Sequence, residues 1–391
     1  MSWPAWLEPD DRRLIGLTVL IKGLILLWGT AVAVWYSGQL VGDVVGALGL
    51  WNRWDAPHYL DIAVFGYRAT DPGNLVGPNG YRSVWPGDLP LYIVFYPLYP
   101  WLSGAVSAVI GQPLVAAFAV TTLASLFVAP LLYRLVRIDH GHAVGMGAAW
   151  FLLVFPTAYF LHIPYTEALF LAVVLGSFLA ARSGRWWLAG LLGGLGALTR
   201  VNGLILIPAL AAEAATQYFA QPAGERRLRR EWLAIGGVAL GYAVYLGLNQ
   251  VVYGDPFEFS EILRNHWFKE LALPWQGVNG VIGWLDAPDY EDAVMYGGME
   301  LLFIGLGLLG TIHAALVLRP AYFTWMALNW LLFISTSFVL SVPRYALSLF
   351  PLFITFALLT PHPVTRVLLS LASIGGLLFF AGRFAAGPWA F

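Results

Sequence analysis

Residues 186–212 read WWLAGLLGGLGALTRVNGLILIPALAA, a 27-residue apolar run interrupted in its middle by Arg200 and Asn202. As one helix it crosses a bilayer once. As two short helices turning at Arg200 it crosses twice, and every later segment changes side. A span needs about 17–25 apolar residues, so length alone allows both. The basic loops decide, because Lys and Arg collect on the cytoplasmic side. Arg226, Arg227, Arg229 and Arg230 form the strongest basic cluster, and Arg12/Arg13, Arg134/Arg137 and Arg182/Arg185 form three weaker ones. All four share a side under one parity only. Residues 186–218 must then be two helices, and the proline-rich run Leu89–Gly111, with Pro90, Pro97 and Pro100, must stay out of the membrane.

The rest of the chain fits that frame. Of 391 residues 59% are hydrophobic and 11% charged, and mean hydropathy is +0.71. Soluble domains carry about 25% charged residues, so the composition describes an all-α polytopic membrane protein. Leu14–Tyr36 is too long for a signal-peptide core and reads as a first span. Further runs at 114–133, 143–161, 164–181, 232–253, 301–318, 321–342, 345–360 and 367–382 bring the expected count to about 11. The expected organisation is a single integral membrane domain, 1–391. Residues 1–13 are cytoplasmic, and 37–113 and 254–298 are loops on the outer face. The cytoplasmic side then holds 13 of the 21 Lys/Arg and 7 of the 22 Asp/Glu. The net charge of −1 carries no basic field for nucleic acid. The absence of cysteine excludes disulfides, thiolate metal sites and cysteine nucleophiles.

Five outer-face motifs carry candidate chemistry. The first is Trp51-Asn52-Arg53-Trp54-Asp55-Ala56-Pro57-His58-Tyr59. A carboxylate held among aromatics at the lipid surface can act as a general base, and Arg53, His58 and Tyr59 can donate to an anion. The same segment also suits a plain interfacial helix with solvated charges. The second motif holds Asp88, another candidate carboxylate, followed by Phe95-Tyr96-Pro97-Leu98-Tyr99-Pro100, which suits a short helix laid on the bilayer. The third, Phe155 to Glu167, places His162, Tyr165 and Glu167 at an outer turn. Glu167 there lines a polar cavity or caps its own helix. The fourth is Thr199-Arg200-Val201-Asn202-Gly203, where Arg200 holds a phosphate, snorkels or pairs with Glu167. The fifth is Pro343-Arg344-Tyr345, where Arg344 is a second anion ligand or an interfacial anchor. No phosphate-binding glycine motif or tight metal cluster is present.

In this order the motifs resemble the PIG-V family of polyprenyl-phosphate-mannose-dependent mannosyltransferases, of the GT-C membrane glycosyltransferases. The resemblance runs from about Trp51 to Pro351 and rests on Arg53-Trp54-Asp55 with His58-Tyr59, on Phe95 to Pro100, on Phe155-Pro156 through Glu167, on Thr199 to Gly203, and on Pro343-Arg344-Tyr345 with Pro351. It implies a GT-C helical bundle with juxtamembrane helices in the first outer loop. It implies an inverting transfer of mannose from a polyprenyl-phosphate-mannose donor to a lipid-linked or glycolipid acceptor hydroxyl. In that scheme Asp55 is the base, and Arg200, Arg344, His58 and Tyr345 hold the donor phosphate. Trp54, Asp88, His162, Tyr165, Glu167 and Asn202 shape the sugar and acceptor pocket. No metal or other cofactor is expected. Eukaryotic members act on glycosylphosphatidylinositol precursors, an acceptor that does not carry over to this chain, and the loop 254–298 matches no family pattern. A lipid or glycolipid transporter or flippase, using the same acidic loop and arginines without covalent chemistry, is the alternative from another class.

Overall fold

The computed structural model describes residues 7–83 and 87–391, and among these the chain is built of helices. It opens with α1 (Pro9–Ser37), α2 (Val44–Gly49), α3 (Ala56–Phe65) and α4 (Leu98–Ile110). The middle is α5 (Pro113–Leu153), α6 (Glu167–Arg182), α7 (Trp186–Thr199), α8 (Leu206–Phe219) and α9 (Gly236–Tyr253). After α10 (Glu258–Trp267), α11 (Pro274–Gly283) and α12 (Tyr290–Asp292) come α13 (Glu300–Val317), α14 (Pro320–Ile334), α15 (Val342–Tyr345), α16 (Phe350–Leu359) and α17 (Pro363–Ala386).

Five helical stretches among the described residues are long and apolar enough to cross a membrane: 9–37, 113–153, 230–253, 290–317 and 363–386. A sixth arises if α15 and α16, bent by 82° at their break, count as one span. The protein is a multi-pass integral membrane protein. The other stretches read from the sequence as spans are shorter helices, such as α6 with 16 residues and α7 and α8 with 14 each. Short helices are tolerated at membrane depth where protein rather than lipid meets their ends, and their ends here do meet side chains.

The break inside 186–218 is present. α7 stops at Thr199, Arg200 is extended (φ −156°, ψ 148°), and a 3-10 turn over Val201–Ile205 leads into α8. The 89–111 stretch forms a 3-10 segment and then the 13-residue α4. At 1.5 Å per residue α4 is about 20 Å long, short of a hydrocarbon core of about 30 Å. α5 reverses at Gly141, whose φ of 78° favours a residue without Cβ.

α7 and α9 touch through their glycines. A Cβ on Gly190 would lie 1.9 Å from the Ala234 carbonyl oxygen, and one on Gly241 would lie 1.9 Å from that of Gly194. Both contacts are with backbone, which cannot rotate away. Small residues are how helices approach closely in lipid, where the hydrophobic effect supplies no attraction between them.

Two polar layers fix the ends of the bundle. At the arginine-rich end Arg182 donates to Asp139 (Nη2–Oδ1 2.7 Å), and Arg319 grips the fully buried Glu213 (Nε–Oε2 3.1 Å). This ties α5, α6 and α8 to the start of α14. Breaking a buried pair of this kind costs about 3–5 kcal/mol. The other end holds the candidate site.

Candidate active site

Asp55 sits just before α3, in a turn the sequence makes costly. Trp54 has φ 58°, a left-handed conformation unusual for a bulky residue. Tyr165 holds the turn, since its hydroxyl donates to the Arg53 carbonyl (2.9 Å) and accepts from the Asp55 amide (3.2 Å). Trp54 packs edge-on against Trp389, with ring centroids 4.9 Å apart. Arg53 is committed to structure, donating to the carbonyls of Leu50 (2.9 Å) and Ala385 (3.3 Å).

Arg344 reaches Asp55 from α15, Nη1 to Oδ2 at 2.7 Å, and its Nε lies 3.5 Å from the Glu167 carboxylate. Arg200 donates to Glu167 (2.6 Å) and to the Thr166 hydroxyl (2.9 Å). The result is one alternating chain, Asp55–Arg344–Glu167–Arg200. The Arg344 side chain is 8% exposed, whereas that of Asp55 keeps 24%. The Arg344 guanidinium lies over the rings of Phe160, Tyr165 and Tyr345 at 5.1–5.5 Å. Among the described residues one Glu167 oxygen, Oε2, and Arg344 Nε are buried without a hydrogen-bond partner, so the chain retains polar capacity for a ligand. Burial pushes the Asp55 carboxyl up, but the Arg344 guanidinium beside it outweighs this and holds it below the ordinary carboxylate value.

Arg344 is aimed by Glu300, which lies outside the five motifs, and by Thr157 of the third. Glu300, fully buried at the start of α13, accepts hydrogen bonds from the amides of Ser341 (2.6 Å) and Val342 (2.8 Å). Ser341 is itself left-handed at φ 70°, and the Thr157 hydroxyl donates to the Pro343 carbonyl at 2.8 Å. The segment carrying Arg344 is thereby held at both edges.

A further cation completes the site. Lys269 Nζ lies 5.6 Å from the Tyr345 ring centroid, and Arg200 (5.3 Å) and Arg344 (5.1 Å) approach the same ring. The Lys269 segment is bound to residues 335–337 through Ser337 N–H to the Glu270 carbonyl (2.9 Å) and Ala272 N–H to the Ser335 carbonyl (3.0 Å). The loop 254–298 therefore contributes to the site. It also covers the first loop, with Trp267 of α10 stacked edge-on against His58 (6.0 Å) and Phe95 (5.3 Å).

Of the residues expected at the site, Asp55, Tyr165, Glu167, Arg200, Arg344 and Tyr345 come together, with Trp54 beside them. His58 packs on Tyr92 at 4.2 Å and senses Asp55 electrostatically. Burial outweighs that attraction and keeps its pKa below the usual histidine value, so it is neutral at pH 7. Asp88 does not join the cluster. It is exposed and accepts from the Asp71 amide at 2.9 Å, a bond across the first loop between residues 17 apart. His162 is fully buried on the other side of its turn, where its carbonyl accepts from Lys22 (3.0 Å). Asn202 is buried as a clasp, donating to Asn329 Oδ1 at 2.8 Å. Among the described residues no group of three or more His, Asp or Glu is placed to hold a metal ion.

The solved structures of ArnT share the fold of this chain. ArnT from Cupriavidus metallidurans bound to undecaprenyl phosphate superposes with a TM-score of 0.51 at 17% identity, covering 90% of this chain and 62% of ArnT. The apo form of ArnT gives a TM-score of 0.50 at 16% identity with the same coverage. The oligosaccharyltransferase AglB from Archaeoglobus fulgidus, in complex with an inhibitory peptide and a dolichol-phosphate, gives 0.46 at 11% identity, covering 96% of this chain and 56% of that one. This chain thus spans about 62% of the length of ArnT.

The fold is the GT-C bundle of membrane glycosyltransferases, as the sequence motifs imply. A model of the dolichyl-phosphate-mannose-protein mannosyltransferase family matches residues 90–248, less than half of the chain. No curated protein sequence matches significantly.

Proposed function

We propose that the protein is an inverting membrane glycosyltransferase that moves mannose from a polyprenyl-phosphate-mannose donor to a hydroxyl of a lipid-linked or glycolipid acceptor. The observation that carries this reading is the pairing of the partly buried Asp55 with Arg344, beside two more cations around Tyr345. A base and a phosphate cradle separated by one ion pair suit a single displacement at a phosphate-activated sugar carbon.

The chemistry follows from the groups present. The donor phosphate takes the place of carboxylate on Arg344 and Arg200, with Lys269 as third ligand; guanidinium forks fit phosphate as well as carboxylate. The cleft among Glu167, Arg200, Arg344 and Tyr345 encloses only about 10 Å³, about one water, so this exchange of partners must open it. Removing Arg344 from Asp55 raises the basicity of the carboxylate when it is needed. Asp55 then accepts the acceptor hydroxyl proton, and that oxygen attacks the anomeric carbon opposite the phosphate. The carbon–oxygen bond to phosphate breaks, and the electron pair leaves with the polyprenyl phosphate, whose charge the cations stabilise. Neutral His58 and the aromatic wall of Tyr92, Phe95 and Trp267 offer a face for the sugar. The positive-inside rule sets the arginine-rich end in the cytoplasm and this site on the outer face.

The test is sugar transfer in liposomes with radiolabelled polyprenyl-phosphate-mannose, a glucosyl donor in parallel, and a crude lipid acceptor extract. Label entering a new lipid from the mannosyl donor supports the reading. Transfer from the glucosyl donor alone would overturn the sugar assignment. Flipping of the donor without transfer would establish the transporter instead.

A further inference from the structure

The bundle has a second cavity at the end opposite Asp55. It encloses about 600 Å³ and lies between the start of α1, the reversal of α5 at Gly141 and the start of α17. That is within the range of about 300–1,000 Å³ typical of small-molecule sites. Its walls are apolar, with Leu17, Met146 and Leu371 among them, and its mouth carries Arg13, Arg366 and His142. All three helices are of span length, and α1 and α17 each bury less than a third of their span. The cavity therefore opens sideways toward the hydrocarbon.

The charges at the mouth are unbalanced. The acidic side chains nearby are already engaged. Asp11 accepts from Arg134 Nε (3.0 Å), Glu8 from Arg137 Nη2 (3.0 Å), and Asp10 from the Tyr133 hydroxyl (2.7 Å), with His142 Nδ1 3.4 Å from Asp10. Among the described residues, neither Arg13 nor Arg366 lies within ion-pair distance of a carboxylate. Arg366 is steadied at the mouth by donating to the Thr360 carbonyl at 3.2–3.3 Å. Two arginines above an apolar recess between spans match one kind of molecule, an amphiphile with an anionic head.

We infer that this cavity binds an anionic phospholipid, its phosphate between Arg13 and Arg366 and an acyl chain against Leu17, Met146 and Leu371. The site is separate from the sugar-transfer cleft and does not depend on the proposed transfer activity. A bound lipid there fills the gap between α1, α5 and α17 and pins the reversal of α5, whose far arm ends near Phe155 in the layer beneath the active site.

The protein in mild detergent is incubated with phosphatidylglycerol and phosphatidylcholine of equal chain length, and retained lipid is counted by native mass spectrometry. The wild type is expected to keep one phosphatidylglycerol in preference to phosphatidylcholine. Arg13→Ala with Arg366→Ala should weaken that retention about thirtyfold, since each juxtamembrane Arg is worth about 1 kcal/mol toward anionic lipid. Equal retention of the two lipids, or unchanged retention in the double variant, would overturn the inference. Competition by glycerol phosphate at concentrations comparable to the lipid would also overturn it, because the recess then adds nothing. If the double variant does not fold, Leu371→Trp, which fills the recess and leaves both arginines, must lose the lipid, and its retention there refutes the site. Arg344→Gln must keep the lipid, and loss in that variant would place it at the transfer cleft instead.

Discussion

Replacing Glu300 by Gln tests whether Arg344 is held in place from a distance. Glu300 is fully buried and accepts the Ser341 and Val342 amides at 2.6 and 2.8 Å. A hydrogen bond contributes about 1 kcal/mol net. Gln keeps one of them as a neutral bond and turns its own amide hydrogens on the second N–H, which is then left unsatisfied at about 1–3 kcal/mol. The expected loss is about 3 kcal/mol of stability, read as earlier unfolding by tryptophan fluorescence in detergent. The segment that loses its clamp carries Arg344, and misplacement of a catalytic group by about 1 Å costs about a hundredfold in rate. The proposed sugar transfer should fall by about 10–100-fold in kcat in protein that is still folded. Unfolding unchanged within about 0.5 kcal/mol, together with unchanged kcat, would refute the positioning role.

Four further outcomes follow. Lys269→Ala should raise the donor KM severalfold and leave the fold intact, because its closest contact is the Tyr345 ring face and it makes no ion pair within 4 Å among the described residues; titration of donor binding checks it. Gly241→Ala should destabilise the protein by about 1–3 kcal/mol, since the new Cβ meets a backbone carbonyl across α7 and α9, and thermal unfolding reads this directly. In the free enzyme Asp55 is held below its ordinary value of about 3.9. It therefore stays ionised as pH falls through that value, so the acid limb of kcat/KM should lie below it; a limb at about 5 or above contradicts the Asp55–Arg344 pair. Because the chain contains no cysteine, Ser260→Cys and Ala223→Cys report sidedness cleanly. In intact cells an impermeant maleimide should label only the former.

The legible part of this protein was carried by charge among apolar residues. Arg200 is costly unless paired in or near a membrane, so it announces a break and a partner, and the structure supplies both in the extended residue between α7 and α8 and in Glu167. Asp55, Tyr165, Arg344 and Tyr345 were each visible for the same reason, as polar groups at the ends of apolar runs. Lys269 and Glu300 were not visible. Lys269 lies in an amphipathic loop where a lysine looks solvated, and only backbone pairing of residues 270–272 with 335–337 carries it to Tyr345. Glu300 looks like a first-turn acid of α13, and its two amide partners are some 40 residues away. Asp88 and Asn202 show the reverse, since each makes a loop bond or a helix clasp that composition cannot distinguish from a ligand contact; His162 is buried away from the cluster. Span length also escaped the sequence, because α6, α7 and α8 end on protein side chains rather than at the membrane surface.

The central claim is that Asp55 takes the proton from the acceptor, and Asp55→Asn tests it most directly. Asn keeps the size and can still hydrogen-bond Arg344, so the fold and the cradle survive while the base is lost. With radiolabelled polyprenyl-phosphate-mannose and acceptor lipid, the variant should bind donor as the wild type does and transfer sugar about 10²–10⁴-fold more slowly, the range of a general base. Donor binding retained with turnover within a few fold of wild type would contradict the account.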